Sequence, residues 1–440
     1  MKFLSQQALY GLQSYKYKSG GYTYLDSLHN PFWNYLVECL PTFLAPNLIT
    51  LLGALGIFLA YAANITFNAS FTDEAPSWVY VLTAASIVLY INLDCVDGKQ
   101  ARRTKTSSPL GQLFDHGVDA LVLHMMLANI SASLGVACGW KMASAACLGI
   151  MVPWVLAQWE EYHSGIMMYG TKYYGVLEAN YCICIVHIIS AIWGLSFWRT
   201  LLPLPEPIVS IMREVLLAAA GLAGRLGGRG EELAGTYAQS IPSHVSVADA
   251  ALLFVSTAGF AHGLHNVVRV LGGSSPQLPK EEEGHKQLGR RAAALQLLPL
   301  VGTTILGAFT VALPCSGSSD AGPWQELLRS SLGLDDSVID AAYCRFSFST
   351  YGLLYALMAT QLIIAHMAKE PLVPCYLALG CFGAALLNSH MLHIASPSLV
   401  MLVLHTIALA GYLIYTTGVI GQICEHLGIN CLTIKPTKDA

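Results

Sequence analysis

Asp94 to Asp119 reads DCVDGKQARRTKTSSPLGQLFDHGVD. Four carboxylates stand here in two pairs, Asp94 with Asp97 and Asp115 with Asp119. Spacings of three and four residues put each pair on one face of a helix, one turn apart. The stretch lies between two long apolar runs, where unpaired charge is costly. Any one of these acids reads most simply as a helix cap or as the partner of a nearby Lys or Arg. Four with this spacing, brought together where one span ends near Asp97 and the next begins near Leu113, read as ligands for a divalent cation. An all-oxygen set suits Mg2+ or Mn2+ rather than zinc, and one or two ions would balance the charge. Without metal the clustered acids would repel and take up protons.

The intervening residues suit a phosphate. Gly98 and Ala101 leave room against the backbone, and Arg102 can clamp a phosphate in bidentate fashion. Lys99, Arg103 and Lys105 add positive potential. His116, next to Asp115, has the ordinary pKa of a general base for an alcohol. Metal, phosphate and a positive clamp are the equipment of phosphoryl-type transfer.

The rest of the chain places this stretch at a membrane. Of 440 residues, 54% are hydrophobic and 11% charged, well below the usual charged fraction of about 25%. Mean hydropathy is +0.53. Apolar runs of spanning length recur near 46–66, 77–94, 113–136, 138–160, 175–199, 247–271, 291–313, 349–367, 371–394 and 397–422. The expected fold is therefore all-α, a polytopic membrane protein of about ten helices. Residues 1–45 are polar and aromatic and read as an interfacial N-terminal helix. Spans one to five (46–200) would form the catalytic core. A 201–246 loop holds an apolar run from Ile211 to Ala223 that suits an interfacial helix. Spans six to ten (247–422) and a 423–440 tail complete the chain. The first residues lack a basic, apolar and small-residue cleavage pattern, so no signal peptide is expected. A net charge of −4 and the absence of a basic run exclude a nucleic-acid partner.

Loop charge gives the orientation. Lys99, Arg102, Arg103 and Lys105 follow span two, and Lys280, Lys286, Arg290 and Arg291 lie between spans six and seven. Lys435 and Lys438 follow span ten, whereas 67–76 carries no Lys or Arg. With ten spans these basic loops share one side, which the positive-inside bias makes cytosolic. Asn68-Ala69-Ser70 is then a lumenal sequon. Cys315 and Cys344 share one polar loop and could pair if it faces an oxidising lumen.

Asp94-x2-Asp97-Gly98-x2-Ala101-Arg102-x8-Gly111-x3-Asp115-x3-Asp119 fits all eight fixed positions of the CDP-alcohol phosphotransferase signature. The wider text resembles the eukaryotic choline and ethanolamine phosphotransferases. Tyr15-Lys16-Tyr17, Ala45-Pro46-Asn47-Leu48-Ile49-Thr50 and Ile423-Cys424-Glu425-His426-Leu427 add to the likeness. The resemblance implies an endoplasmic reticulum or Golgi enzyme that moves phosphoethanolamine or phosphocholine from CDP-ethanolamine or CDP-choline to diacylglycerol or an alkyl-acylglycerol. CMP is released, with two Mg2+ or Mn2+ ions as cofactor. By position it implies metal ligation by Asp94, Asp97, Asp115 and Asp119, and a CDP portion held by Asn47, Arg102 and neighbours including Lys99 and Gly111. It also implies His116 as base with Asp119 as runner-up, and Glu178 close enough to orient His116.

Trp159, Glu160, Glu161 and Tyr162 close the fourth span beside the site. They read either as head-group contacts or as interfacial anchors. Gly53, Gly135, Gly149, Gly302 and Gly307 read as close helix contacts. Spans seven to ten suit a lipid-facing chamber or a homodimer interface. Two rivals are weighed. Smaller relatives use CDP-diacylglycerol with inositol or glycerol phosphate, but chain length and the FDHG text disfavour that. A cation transporter would carry mid-span acids and a repeat between halves, and neither is present.

Overall fold

Proline and small polar residues set where the long helices begin. The computed structural model describes residues 2–207, 243–275, 289–312 and 336–435, with a few positions between 209 and 217. Helix α1 is Gln6–Ser14, opened by the Ser5 side chain accepting the Ala8 N–H. Strand β1, Ser19–Gly20, leads to α2, Tyr24–Cys39, which starts at a capping box of Thr23 and Asp26. Along α2, Trp33 and Val37 are buried, whereas Tyr24, Leu28, Phe32 and Tyr35 form an exposed stripe. This is the interfacial helix read from the sequence.

Helix α3, Pro46–Phe67, and α4, Ser77–Arg103, follow. Then come α5, Pro109–Leu134, and α6, Trp140–Ser164, whose Ala145–Met151 portion is a π-helix. A two-residue strand β2, Met167–Met168, pairs in parallel with β1. Helix α7 is Val176–Arg199. Strands β3, Leu201–Pro203, and β4, His244–Ser246, pair antiparallel ahead of α8, Val247–Gly272. The set closes with α9, Arg290–Ala312, α10, Asp336–Ala368, α11, Tyr376–Leu387, and α12, Pro397–Leu427. Among the described residues nine helices are long and apolar enough to span a bilayer. The tenth expected span is the shorter α11, prolonged by a π-helical turn over Asn388–Leu392. The apolar run 211–223 lies largely outside the described residues.

The second and third spans are longer toward the aspartates than hydropathy alone suggests. Helix α4 continues nine residues beyond Asp94 and ends on Arg102 and Arg103, cations that suit a helix C-terminus. Helix α5 starts at Pro109, four residues before Leu113, because Ser108 caps it by accepting the Gly111 N–H. All four aspartates therefore sit inside helices, where their spacing is fixed.

Both chain ends meet on one face. The Phe3 and Leu4 N–H groups donate to Gln422 Oε1 at 2.7 and 3.2 Å, and Asn47 Nδ2 donates to the Cys431 carbonyl at 3.0 Å. Ser5 Oγ donates to Glu370 just beyond α10. This agrees with an even number of crossings.

The opposite face is stapled. Cys344 is bonded to Cys138, in the turn between α5 and α6, and not to Cys315, which lies outside the described residues. The sequence placed Cys344 in a loop, but it lies within α10, which delivers it against that turn. Its neighbour Arg345 donates to the Asn68 and Ala69 carbonyls at the end of α3 and lies 3.5 Å over the Phe71 ring. Asn68 is itself buried, its amide donating to the Ala132 carbonyl at 3.1 Å, so the sequon there is closed to a glycan.

Of the five glycines read as helix contacts, Gly53, Gly149 and Gly307 meet neighbouring helices closely, whereas Gly302 faces open space. Gly135 instead ends α5 in the left-handed conformation, at φ 66°. Gly194 breaks α7 at φ 64°, where Glu74 Oε1 occupies the space of a side chain and accepts the Leu195 N–H at 3.2 Å.

Candidate active site

Helices α4 and α5 face each other with their aspartates between them. Oxygens of Asp94, Asp97 and Asp115 all lie within 4.8 Å of one another. Asp97 accepts a short hydrogen bond from the Thr50 hydroxyl of α3. Asp119 stands one turn further along α5, where its Oδ1 accepts from the Tyr90 hydroxyl at 2.5 Å. Oδ1 of Asp94 and Oδ1 of Asp115 are buried without a hydrogen-bond partner among the described residues. None of the ion pairs among the described residues involves these carboxylates. Unpaired buried charge of this kind is unfavourable without a counter-ion. The donor set, all oxygen and converging on one point with orphaned lone pairs, fits a hard divalent cation.

Asp94, Asp97 and Asp115 line a cavity of about 600 Å³, within the usual range for small-molecule sites. Gly98, Lys99 and Arg102 line it from α4, and Gln112 from α5. Arg102 is exposed, and a side chain at Gly98 would meet its guanidinium at 3.5 Å. Lys99 Nζ is oriented by Asn30 and Asn34 of α2, each at 2.7 Å. Ala101 is half-buried on the same turn. Asn47 Oδ1 faces Gly111, so the first turns of α3 and α5 meet there without an intervening side chain.

Arg103 has a different task. It donates to the Val37 and Leu40 carbonyls at 2.9 and 2.7 Å, closing the C-terminus of α2, and pairs with Glu38. His116 is buried behind the cavity wall. Its Nε2 stands 2.7 Å from the Gln112 amide nitrogen, which donates to it, and the Tyr17 ring meets the imidazole edge-on. Gln112, rather than Glu178, is thus its hydrogen-bond partner. Glu178, in the first turn of α7, has a buried Oε2 without a hydrogen-bond partner among the described residues.

None of residues 159–162 lines the cavity. Trp159 is fully buried, with its ring against His163. Glu160 pairs with Arg269 of α8 at 2.5 Å and accepts from Ser275 at 2.9 Å. Glu161 accepts from Tyr15 at 3.4 Å and lies 3.6 Å from His366. Tyr162 donates to the Glu370 carbonyl at 3.1 Å. Glu160, Glu161 and Tyr162 join α6 to its neighbours.

Sequence reasoning missed Thr50, Tyr90, Gln112, Tyr17 and Tyr169 as neighbours of the aspartates. Helical spacing offered a signal for three of them. Thr50 is one turn from Asn47, Tyr90 one turn from Asp94, and Gln112 one turn from His116. The tyrosines had no such signal, because the β1–β2 pairing brings them together. Their hydroxyls meet at 2.5 Å, and burial holds both phenols well above their ordinary pKa.

Comparison with known proteins matches this arrangement to a class. Residues 43–204, which contain all four aspartates, match the CDP-alcohol phosphatidyltransferase family. Residues 43–204 thus carry a CDP-alcohol phosphatidyltransferase domain. The chain is 29% identical over 98% of its length to "Uncharacterized CDP-alcohol phosphatidyltransferase class-I family protein 2" of Dictyostelium discoideum, covering 88% of that protein. The more particular likeness is to cholinephosphotransferases. Identity is 33% to cholinephosphotransferase 1 of Homo sapiens and 38% to that of Gallus gallus, over 56% and 44% of this chain. Those alignments span 62% and 58% of the two relatives, less than two-thirds of either.

Proposed function

We propose that the chain transfers phosphocholine or phosphoethanolamine from CDP-choline or CDP-ethanolamine to diacylglycerol or an alkyl-acylglycerol, releasing CMP. The observation that carries this reading is the convergence of buried, unpaired carboxylate oxygens on one cavity edged by Lys99 and Arg102. The names of the relatives supply the class of donor.

Asp94, Asp97 and Asp115 would hold Mg2+ or Mn2+, with Asp119 completing the set if two ions bind. Such ions, when bound, offset the charge of the diphosphate and stabilise the departing phosphate. Arg102 holds the diphosphate through paired N–H donors, and Lys99, fixed by two asparagines, adds charge without needing to reorganise. Gly98 keeps the backbone of α4 open to the nucleotide, while Gly111 lets Asn47 of α3 approach the first turn of α5. His116 Nε2, now accepting from Gln112, is the base: it takes the proton of the glyceride hydroxyl. That oxygen bonds to the β-phosphorus of the donor, and the bond from this phosphorus to the bridging oxygen breaks, with CMP leaving as the anion. The buried imidazole is screened from bulk water, which limits hydrolysis of the donor.

The site faces the cytosol in this reading, in an endoplasmic reticulum or Golgi membrane. The basic residues at the α4 end support that side. The Cys138–Cys344 bond at the opposite face supports an oxidising compartment there.

The test is CMP release by the purified chain in liposomes containing diacylglycerol, with Mg2+ or Mn2+ and each donor in turn. Release that depends on metal, on the glyceride and on Asp94 supports the reading. Undiminished release by Asp94→Asn would sink the assignment.

A further inference from the structure

We propose that Tyr17, Tyr22, Tyr169 and Asp26 form the subsite for the positively charged end of the donor alcohol. This rests on the reaction proposed above. Four observations carry it. First, these residues line the same cavity as Asp94, Asp97 and Asp115, but they come from the N-terminal segment and the 165–175 loop. The cations lining that cavity among the described residues, Lys99 and Arg102, are both on α4. The cavity thus has a cationic edge suited to diphosphate and a separate wall without lining cations.

Second, the tyrosine hydroxyls on that wall are engaged by one another or by Ser19. Tyr17 and Tyr169 share one hydrogen bond at 2.5 Å, and Tyr22 shares one with Ser19 at 2.6 Å. The wall therefore offers aromatic rings rather than phosphate donors. The Tyr22 and Tyr169 rings lie 5.9 Å apart, tilted by 30°. Ring faces attract ammonium groups, and a quaternary ammonium has no N–H to satisfy.

Third, Asp26 adds a negative charge. Oδ2 is engaged by the Thr23 N–H at 2.8 Å, while Oδ1 has no hydrogen-bond partner among the described residues. It can attract any ammonium and accept a hydrogen bond from a primary one.

Fourth, the wall is built to stay in place. Strands β1 and β2 pair Ser19 with Met167 and Gly20 with Met168. Gly21, at φ 68°, packs where a side chain would come within 2.6 Å of the Gly170 carbonyl. This clasp fixes the tyrosines relative to the aspartates and hence the head group relative to the phosphorus. The role considered for residues 159–162 falls instead to the N-terminal segment and the 165–175 loop.

The experiment measures, for the purified full chain, equilibrium binding of CDP-choline, CDP-ethanolamine and CMP in the presence of Mg2+, together with KM and kcat. CMP lacks the ammonium and serves as the internal control. Tyr22 is exposed, so Tyr22→Ala leaves packing intact, and Asp26→Asn keeps the cap on α2 while removing the charge. Tyr22→Ala should weaken CDP-choline binding and raise its KM by about tenfold, as expected for a lost cation–π contact. CMP affinity and kcat should be unchanged, and Tyr22→Phe should stay within about twofold of wild type. Asp26→Asn should weaken both donors, CDP-ethanolamine more. Binding is read without turnover, so a chain that fails to release CMP but shows this pattern refutes the reaction and retains the subsite. Equal weakening of CMP and the donors, or no change in either variant, overturns the subsite.

Discussion

Two groups of acids with buried oxygens lie toward the same face of this molecule, and their surroundings are opposite. Glu160 has Arg269 and Ser275, and Glu161 has Tyr15 and His366. Asp94 and Asp115 each keep a buried oxygen with no partner, and neither joins an ion pair among the described residues. A carboxylate that the protein itself satisfies contributes to assembly, because removing one partner strands the other. A carboxylate left unsatisfied among its own kind costs stability and persists where a ligand completes it. The pairing state of each acid, more than its burial, separates the structural group from the functional one.

Substitution should split the groups along that line. Asp94→Asn or Asp115→Asn should lower CMP release by roughly 10³-fold, as for loss of a group that stabilises the transition state. Metal-free thermal stability should hold or rise, since repulsion is relieved. Glu160→Gln should keep metal-dependent release near wild type yet destabilise the fold by about 3–5 kcal/mol, read from denaturant unfolding. Equal effects on both properties in both groups would erase the distinction.

Within the aspartate region, the base and its neighbour should differ as well. His116→Ala should reduce kcat by roughly 10²–10⁴-fold, the usual range for general-base loss. Gln112→Ala, which frees Nε2, should stay within about tenfold. A larger loss for Gln112 would move the essential group from the ring to the amide.

The covalent staple on the far face offers a smaller contrast. Cys138→Ser should cost about 2–4 kcal/mol of stability in thermal melts under oxidising conditions, with no change in donor KM. Mass spectrometry without reductant should find the Cys138–Cys344 peptide. The smallest effect is at the tyrosine clasp. Burial raises both phenols, so the protonated pair is favoured in the folded state. Its contribution is fully present below about pH 10, the unfolded value, and is lost as pH rises above that. Ultraviolet titration should show that Tyr17→Phe has fewer late-ionising tyrosines than wild type.

The aspartate constellation was legible because its information is local. Asp94, Asp97, Asp115 and Asp119 lie at helical intervals within 26 residues, and a 3.6-residue repeat converts such spacing directly into a shared face. The apolar runs were legible for the same reason, apart from α11, whose helix is too short for a full span. Long-range pairings were not. The partner the sequence offered Cys344, if its loop faced an oxidising lumen, was Cys315, but α10 carries it to Cys138, 206 residues away in sequence. Glu160 read either as a head-group contact or as an interfacial anchor, and α8 supplies Arg269 instead. Arg103 read as phosphate potential until α2 presented its carbonyl ends. In each case the partner lies on another helix, and composition does not encode which helices meet.

One measurement tests the central contrast directly: binding of Mn2+ to the purified chain, followed by the loss of the free-ion electron paramagnetic resonance signal. Wild type and Glu160→Gln should bind at least one Mn2+ per chain with similar affinity, and Asp115→Asn should lose that binding while remaining folded. Mn2+ binding by Asp115→Asn equal to wild type would contradict the account.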